Sequence, residues 1–135
     1  MKNIKQLIFF LLLLSTVLTV LASCGGEESG VVDLTLLSTT MAYSELENMT
    51  AKPDRYLGKT VKMRGAVSVY RAGDNVYYSC TVSDLTACCS QALEFVLEGS
   101  QRYPAEGSEV VISGVFDTYQ ENGSTYCYLK HAVVE

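Results

Sequence analysis

The chain has no tryptophan, a single histidine and fewer basic than acidic residues, 10 against 15. With one histidine and no Gly-x-Ser-x-Gly motif, it carries no Ser-His-Asp arrangement for nucleophilic catalysis. The acidic residues Asp74, Asp84, Glu94 and Asp117 fall in predicted turns or outward strand positions, where solvated surface charge accounts for them. We therefore expect a protein that is not an enzyme.

Basic residues are scarce beyond the first few positions. Lys2 and Lys5 belong to the leader described below, so 8 basic and 15 acidic residues remain beyond it, a net charge of −7. Because phosphate contacts need positive charge, this balance predicts that nucleic acid is not a partner.

The chain also lacks an apolar run long enough to cross a membrane. Its leader is apolar from Leu7 to about Leu21, roughly fifteen residues against the roughly twenty that a span needs. Lys2 and Lys5 precede this run and small residues follow it, which is the layout of an export signal.

The residues that close the leader, Leu21-Ala22-Ser23-Cys24, resemble the bacterial lipobox. The resemblance implies a signal peptide over residues 1–23 and a lipoprotein whose Cys24 carries a diacylglycerol. With two or three acyl chains such as palmitate, the product would stay on the membrane. We therefore expect it at the extracytoplasmic face of a bacterial cell membrane, held there by a lipid anchor.

Residues 24–40 are predicted to form a tether and lead-in. The tether is rich in glycine and glutamate, a composition typical of a flexible linker. Residues 31–40 are ambiguous between a short strand and an extended segment. A helix is predicted from Met41 to about Met49, with Thr39 or Thr40 as its cap.

Beyond the helix, period-two alternation of apolar and polar residues predicts strands. Turns are predicted at 72–75 and at Asn122-Gly123, a pair that tolerates the positive φ of a tight hairpin. The predicted strands cover about 61–70, 76–82, 92–97, 110–119 and 125–134. A helix followed by a five-stranded antiparallel meander is what a small closed barrel requires, so the predicted fold is mainly β.

The segment Tyr56-Leu57-Gly58-Lys59 resembles the Tyr-x-Gly-Lys turn of small bacterial lipoproteins with an OB-fold, related to the anticodon-binding-like OB families. The run from Glu109 to Phe116 is similar to the fourth strand of that family. The resemblance implies one OB-fold-like domain over residues 41–135, a five-stranded antiparallel barrel preceded by an N-terminal helix. The helix usual between strands three and four is not predicted, because Glu98–Ser108 is mostly loop.

Three roles are open for the four cysteines of this domain. If the loop after the second strand centres on Asp84, Cys80 and Cys88 face each other across a hairpin and can form a disulfide. Cys89 would then form a second disulfide with Cys127. Thiolates gathered at one barrel end would instead suit zinc or copper(I). The third alternative is free, mostly buried thiols.

Tyrosine is frequent, with nine residues. OB-folds bind ligands on the face of their second and third strands, often by stacking on aromatic rings. The alternative is that the rings only cover the strand faces. The candidates for a ligand face are Tyr70, Tyr77 or Tyr78, Tyr119, Tyr126 and Tyr128.

Two functions follow from these features. The first is a membrane-anchored binding or adaptor module that uses the tyrosine face. Because the domain is acidic, we expect its ligand to be a glycan, a peptide or an envelope protein. The second is a thiol-rich metal-binding or redox-active envelope protein that uses Cys88 and Cys89. No cofactor other than this zinc or copper is expected.

Overall fold

The computed structural model describes residues 30–135, so the leader and the predicted lipidation site Cys24 lie outside the described residues. Within them, one α-helix, α1, spans Thr39–Ala51. Short 3-10 turns at Leu34–Leu36 and Pro53–Arg55 flank it. The strands in chain order are β1 Val31–Asp33, β2 Thr60–Ala72, β3 Asn75–Ser83, β4 Ser90–Leu97, β5 Glu109–Glu121 and β6 Ser124–Val134.

Five of these strands close into a barrel. β2 pairs antiparallel with β3 and with β5, β3 pairs with β4, and β6 bridges β4 and β5, so the ring returns to its start. This confirms the predicted mainly β fold with a five-stranded OB-like barrel. The predicted meander is wrong in its strand order, because β4 pairs with β6 rather than with β5, and these two strands run parallel, with Glu94 beside Tyr128.

Each predicted strand range lies inside an observed strand. Alternation is a local property of the sequence, which is why it locates strands well. The segment that was ambiguous contains β1, a short strand parallel to β2 in which Val31 pairs with Thr60. The two predicted turns are the connections β2–β3 and β5–β6.

The helix α1 packs its apolar face against the barrel, mainly on β3 and β4. Ala42, Leu46 and Met49 recur at helical spacing and are buried. The cap is Ser38, whose Oγ accepts a hydrogen bond from the Met41 N–H at 3.4 Å, rather than the predicted Thr39 or Thr40. The helix ends at Ala51, two residues before Pro53, because a proline disfavours helical geometry in the residue that precedes it.

Two glycines allow the strands to bend as the barrel closes. β2 pairs with β5 up to Ala66 and with β3 from Ala66 onward, and Gly65 lies at this change of partner. A Cβ at Gly65 would overlap the carbonyl oxygen of Thr81 on the neighbouring strand. Gly114 lies where the register between β5 and β6 shifts. Glycine is used at such corners because another backbone comes close.

The connection from β4 to β5 contains no helix, as predicted. Tyr103 anchors it by stacking on Tyr78, with ring centroids 4.1 Å apart, and by packing near Phe95. The Leu97 N–H donates to the Tyr103 hydroxyl at 3.2 Å. An aromatic side chain thus fixes the position of this segment against the core.

Candidate ligand-binding cleft

A cleft of about 510 Å³ opens between the β2–β3 and β5–β6 hairpins. This volume is in the range of small-molecule sites. Asn122 and Gly123 both have positive φ, 50° and 82°, so they form the tight turn that holds the β5–β6 hairpin in place. The side chains that characterise the cleft are four tyrosines and two glutamates: Tyr70, Tyr77, Tyr119, Tyr126, Glu94 and Glu121.

The four tyrosines form two cross-strand pairs. Tyr70 lies opposite Tyr77 in the β2–β3 register, with ring centroids 6.2 Å apart. Tyr119 lies opposite Tyr126 in the β5–β6 register and stacks on it at 5.4 Å. Tyr70 is 67% exposed and Tyr126 is 45% exposed. Each hairpin therefore presents aromatic surface that solvent can reach.

In each pair, one tyrosine hydroxyl donates a hydrogen bond to a glutamate carboxylate. Tyr77 Oη donates to Glu121 Oε1 at 2.9 Å, and this hydrogen bond joins β3 to the end of β5. Tyr119 Oη donates to Glu94 Oε2 at 2.7 Å and joins β5 to β4. Because these contacts link strands far apart in sequence, they fix the two walls of the cleft relative to each other.

The protonation of these groups is mutually dependent. Burial raises the pKa of Glu94, the hydrogen bond from Tyr119 opposes this change, and the charge of Glu121 adds to it. Burial and the hydrogen bond to Glu94 raise the pKa of Tyr119. The hydrogen bond to Glu121 is the main cause that raises the pKa of Tyr77. Both phenols therefore remain protonated donors at neutral pH.

Tyr78 is a predicted ligand-face residue that the structure places elsewhere. It packs against the core and stacks on Tyr103. Successive residues of a strand face opposite sides, and Tyr78 shares its side with the buried Cys80 and Val82. Tyr77 lines the cleft in its place.

Tyr128 is also predicted for the ligand face but is not part of the cleft lining. Its ring meets Tyr119 edge-on, with centroids 5.4 Å apart. It therefore supports a tyrosine of the cleft without lining the cleft itself. The other predicted tyrosines, Tyr70, Tyr119 and Tyr126, are brought together as cleft residues.

The two glutamates were not identified as site residues from the sequence. Glu121 follows Tyr119 by two positions, so period two alone places both on one side of β5. Glu94 was interpreted as solvated surface charge, whereas it is partly buried and bonded to Tyr119. Its neighbours across the sheet are Ser79 on β3 and Tyr128 on β6, pairings that only the registers of β4 with these strands establish.

The four cysteines within residues 30–135 are free. The predicted Cys80–Cys88 disulfide is not formed, because the register places Cys80 opposite Leu93. The loop between β3 and β4 lies between Ser83 and Ser90 and so does not centre on Asp84. Cys89 is exposed in that loop, whereas Cys127 lies on β6 and lines the cleft, so the second predicted disulfide is not formed either.

Cys88 and Cys89 instead meet Asp84 in the β3–β4 loop. Asp84 Oδ1 accepts hydrogen bonds from the N–H groups of Thr86 and Cys88, both at 3.1 Å, which folds the loop. Cys88 Sγ is 3.4 Å from Asp84 Oδ2 and 3.5 Å from Cys89 Sγ. One oxygen and two sulfur atoms thus lie within 4.8 Å of one another, close enough to bind one ion. Neither Cys80 nor Cys127 belongs to this group.

In the described part of the chain, no helix combines the length and the apolar character needed to cross a bilayer.

Neither a protein-family model nor a curated protein matches the chain. Among solved structures, it is similar to a lipoprotein from Klebsiella pneumoniae that is provisionally described as nucleic acid-binding. The two share 23% sequence identity over 82% of this chain and 98% of the other, with a TM-score of 0.39.

This comparison contradicts one sequence-based prediction. The net negative charge of the chain predicts that nucleic acid is not a partner. The matched lipoprotein, however, is described as nucleic acid-binding. The predicted exclusion of nucleic acid as a partner is therefore wrong as stated. Net charge is summed over the whole surface, whereas a ligand meets only one local part of it.

Proposed function

We propose that the protein is a lipid-anchored binding module that takes up its ligand in the cleft between the β2–β3 and β5–β6 hairpins, without catalysing a reaction. The observation that carries the proposal is the cleft itself, about 510 Å³ in volume and lined by four tyrosines from both hairpins. Concave sites with aromatic walls and a few placed polar groups are typical of ligand binding.

The exposed rings support this use of the cleft. Tyr70 and Tyr126 keep large apolar surfaces in water, and a ligand that stacks on them would remove that surface from solvent. Their neighbours Tyr77 and Tyr119 are held by hydrogen bonds to glutamates, so little side-chain freedom is lost when a ligand binds.

The anchor is supported by the sequence of the leader. Cys24 follows a short apolar run and small residues in the order of a bacterial lipobox, and 25–30 are rich in glycine and glutamate. In this proposal the segment joins the barrel to the acyl chains, which hold the protein at the membrane surface.

Binding to the cleft is tested with mature protein purified from membranes in mild detergent. Because the chain has no tryptophan, its intrinsic fluorescence reports on tyrosine alone. The probes are two small ammonium compounds, choline and putrescine, and a single-stranded oligothymidine. The oligothymidine is included because nucleic acid bases stack on tyrosine. We expect at least one probe to bind, with affinity reduced about tenfold in Tyr70→Ala or Tyr126→Ala, the loss of about 1–3 kcal/mol known for such stacking.

The matched control is Leu36→Ala, which removes a side chain that is 82% exposed and lies outside the cleft. Its affinity should equal that of the unmodified protein. If no probe changes the tyrosine fluorescence, or if Tyr70→Ala and Tyr126→Ala bind as the control does, the cleft is not the binding site.

A second function is favoured by the loop that contains Asp84, Cys88 and Cys89. Two thiols and a carboxylate within 4.8 Å suit a soft or borderline ion such as copper(I) or zinc. We propose that a metal-binding role here would need both Cys88 and Cys89. The test is titration with zinc or copper(I): one ion per chain, lost in Cys88→Ser and retained in Cys127→Ser, supports it. No stoichiometric binding would rule it out.

A further inference from the structure

The two cleft carboxylates have no cationic partner within residues 30–135. The ion pairs in this part of the chain join Lys62 to Glu135 and Lys130 to Asp117, and the His131 ring lies 3.7 Å from Glu98. Neither Glu94 nor Glu121 takes part in any of them. Within the described residues, the side-chain hydrogen bonds to these two carboxylates come from phenol hydroxyls, and a hydroxyl brings no compensating charge.

Among the residues that the structure describes, no lysine, arginine or histidine lines the cleft. Two carboxylates therefore determine the sign of its electrostatic potential, and the partial burial of Glu94 reduces the screening of that charge by water. A concave site lined by one sign of charge concentrates ions of the opposite sign.

The tyrosines add a second reason to expect a cation. The face of an aromatic ring is electron-rich and attracts a positive charge placed within about 6 Å of its centre. The hydroxyls of Tyr77 and Tyr119 donate their hydrogens to the glutamates. The ring surfaces and the carboxylate oxygens therefore remain for contact with a ligand. Several rings around an anionic group are the arrangement that recognises ammonium groups.

We propose that the cleft binds a small organic ammonium ion, with its positive charge against Glu94 and Glu121 and its carbon atoms against the tyrosine rings. This inference rests on the proposed function and specifies its ligand class. A cleft of about 510 Å³ accommodates a small molecule of this kind. Because two carboxylates share the cleft, a diamine should bind more tightly than a monovalent ammonium ion.

The decisive comparison uses two probes of matched shape. Choline carries a quaternary ammonium group, and 3,3-dimethyl-1-butanol is its uncharged carbon analogue. Calorimetric titration of the mature, membrane-extracted protein should give choline an affinity at least about tenfold higher than that of the alcohol, since cation–π contacts and charge pairs together contribute this much. Putrescine, a diamine, should bind more tightly than choline.

Variants assign the effect to the two carboxylates. Glu94→Gln and Glu121→Gln keep an oxygen that accepts the tyrosine hydrogen bond and remove the charge. Each should weaken putrescine binding about tenfold or more, since charge-assisted hydrogen bonds are about twice as strong as neutral ones. The control Glu106→Gln changes an exposed glutamate outside the cleft and should leave the affinity unchanged.

The possible failures separate this inference from the proposed function. If the alcohol or the oligothymidine binds and Tyr126→Ala weakens it while Glu121→Gln does not, the cleft is a binding site but its ligand is not an ammonium ion. Equal binding of choline and its neutral analogue would overturn the inference in the same way. If none of the probes binds, both the inference and the proposed function fail.

Discussion

At the scale of single residues, the same type of side chain has different chemistry in different environments. The cysteines illustrate this point. Cys80 is fully buried in the core, and burial raises the pKa of its thiol to about 12. Cys88 and Cys89 are exposed in the β3–β4 loop. Because the thiolate is the reactive form, accessibility and pKa together determine which cysteine reacts.

We expect an alkylating reagent such as iodoacetamide to modify Cys88 and Cys89 first in the folded protein at neutral pH. Cys80 should react only after unfolding, because its thiol is both inaccessible and protonated. Peptide mass spectrometry of a time course measures the order. Modification of Cys80 at the rate of Cys88 in native conditions would contradict the observed burial.

Glu94 should make stability depend on pH. Burial raises the pKa of this carboxyl in the folded state, although the Tyr119 hydrogen bond opposes the change and the Glu121 charge reinforces it. An acid whose folded pKa is raised stabilises the fold when protonated, and the benefit is lost as pH rises through that pKa. Compared with Glu94→Gln, the unmodified protein should therefore lose stability as pH rises from the ordinary glutamate pKa through the raised pKa of Glu94.

The measurement is urea unfolding of both proteins at several pH values, with the free energies of unfolding compared at each. Tyr77 and Tyr119 have raised pKa values and remain protonated donors while the carboxyl of Glu94 titrates, so the difference between the two proteins reports on that carboxyl. A difference that stays constant over this range would show that the pKa of Glu94 is not raised.

At the scale of elements, the strands depend on glycine at the points where they bend. Gly65 pairs with Val110 on β5 and lies beside Thr81 on β3, so two neighbouring backbones converge there. Replacing it by alanine would force a backbone carbonyl to move. Gly114 is less crowded, since a Cβ there would be 3.0 Å from the Leu129 Cβ.

We therefore expect Gly65→Ala to lower the free energy of unfolding by about 3 kcal/mol, the upper part of the range for overpacking. Gly114→Ala should cost about 1 kcal/mol, since overpacking there is slighter. Thermal unfolding followed by circular dichroism compares the two. Equal stability of Gly65→Ala and the unmodified protein would mean that β2 and β3 do not approach each other at this point.

The helix α1 contributes to the core through one face. Met49 is fully buried, whereas Met41 on the same helix is 57% exposed. Met49→Ala should lower the free energy of unfolding by about 2–5 kcal/mol through the lost contacts and the cavity left behind. Met41→Ala provides the matched control and should change it by less than about 0.5 kcal/mol. Similar effects of the two substitutions would contradict this packing of the helix.

At the scale of the whole molecule, the barrel has the cleft as its proposed site and Cys24 as its proposed point of attachment. These two parts can be tested separately, because Cys24 lies before the described domain. The acyl chains contribute roughly 0.8 kcal/mol for each buried methylene, so their loss should release the domain from the bilayer.

Cys24→Ala should abolish incorporation of an alkyne-labelled palmitate and reduce the fraction of protein that sediments with membranes. Ligand binding should be unchanged, because the cleft is formed by strands of the barrel. A conservative control is Cys127→Ser, which keeps Cys24 and should leave labelling intact. Membrane association of Cys24→Ala equal to that of the unmodified protein would exclude this anchor.

Local patterns in the sequence determined the elements of this protein. Alternation of apolar and polar residues located the five barrel strands, and Asn122-Gly123 located the β5–β6 turn, because both depend on residues close in the chain. The same alternation places Tyr78 on the side of Cys80 and Val82, so its partial burial against the core follows once that side of β3 is known to face inward.

Only the tertiary structure decided how these elements combine. The parallel pairing of β4 with β6 and the pairing of β2 with β5 join strands far apart in the chain. Those long-range registers bring Glu94 to Tyr119 and Glu121 to Tyr77, and they keep Cys80 away from Cys88. The cleft is made from four separate parts of the chain: α1, β4 and the two hairpins. It has no local pattern of its own, because its contacts exist only after the barrel has closed.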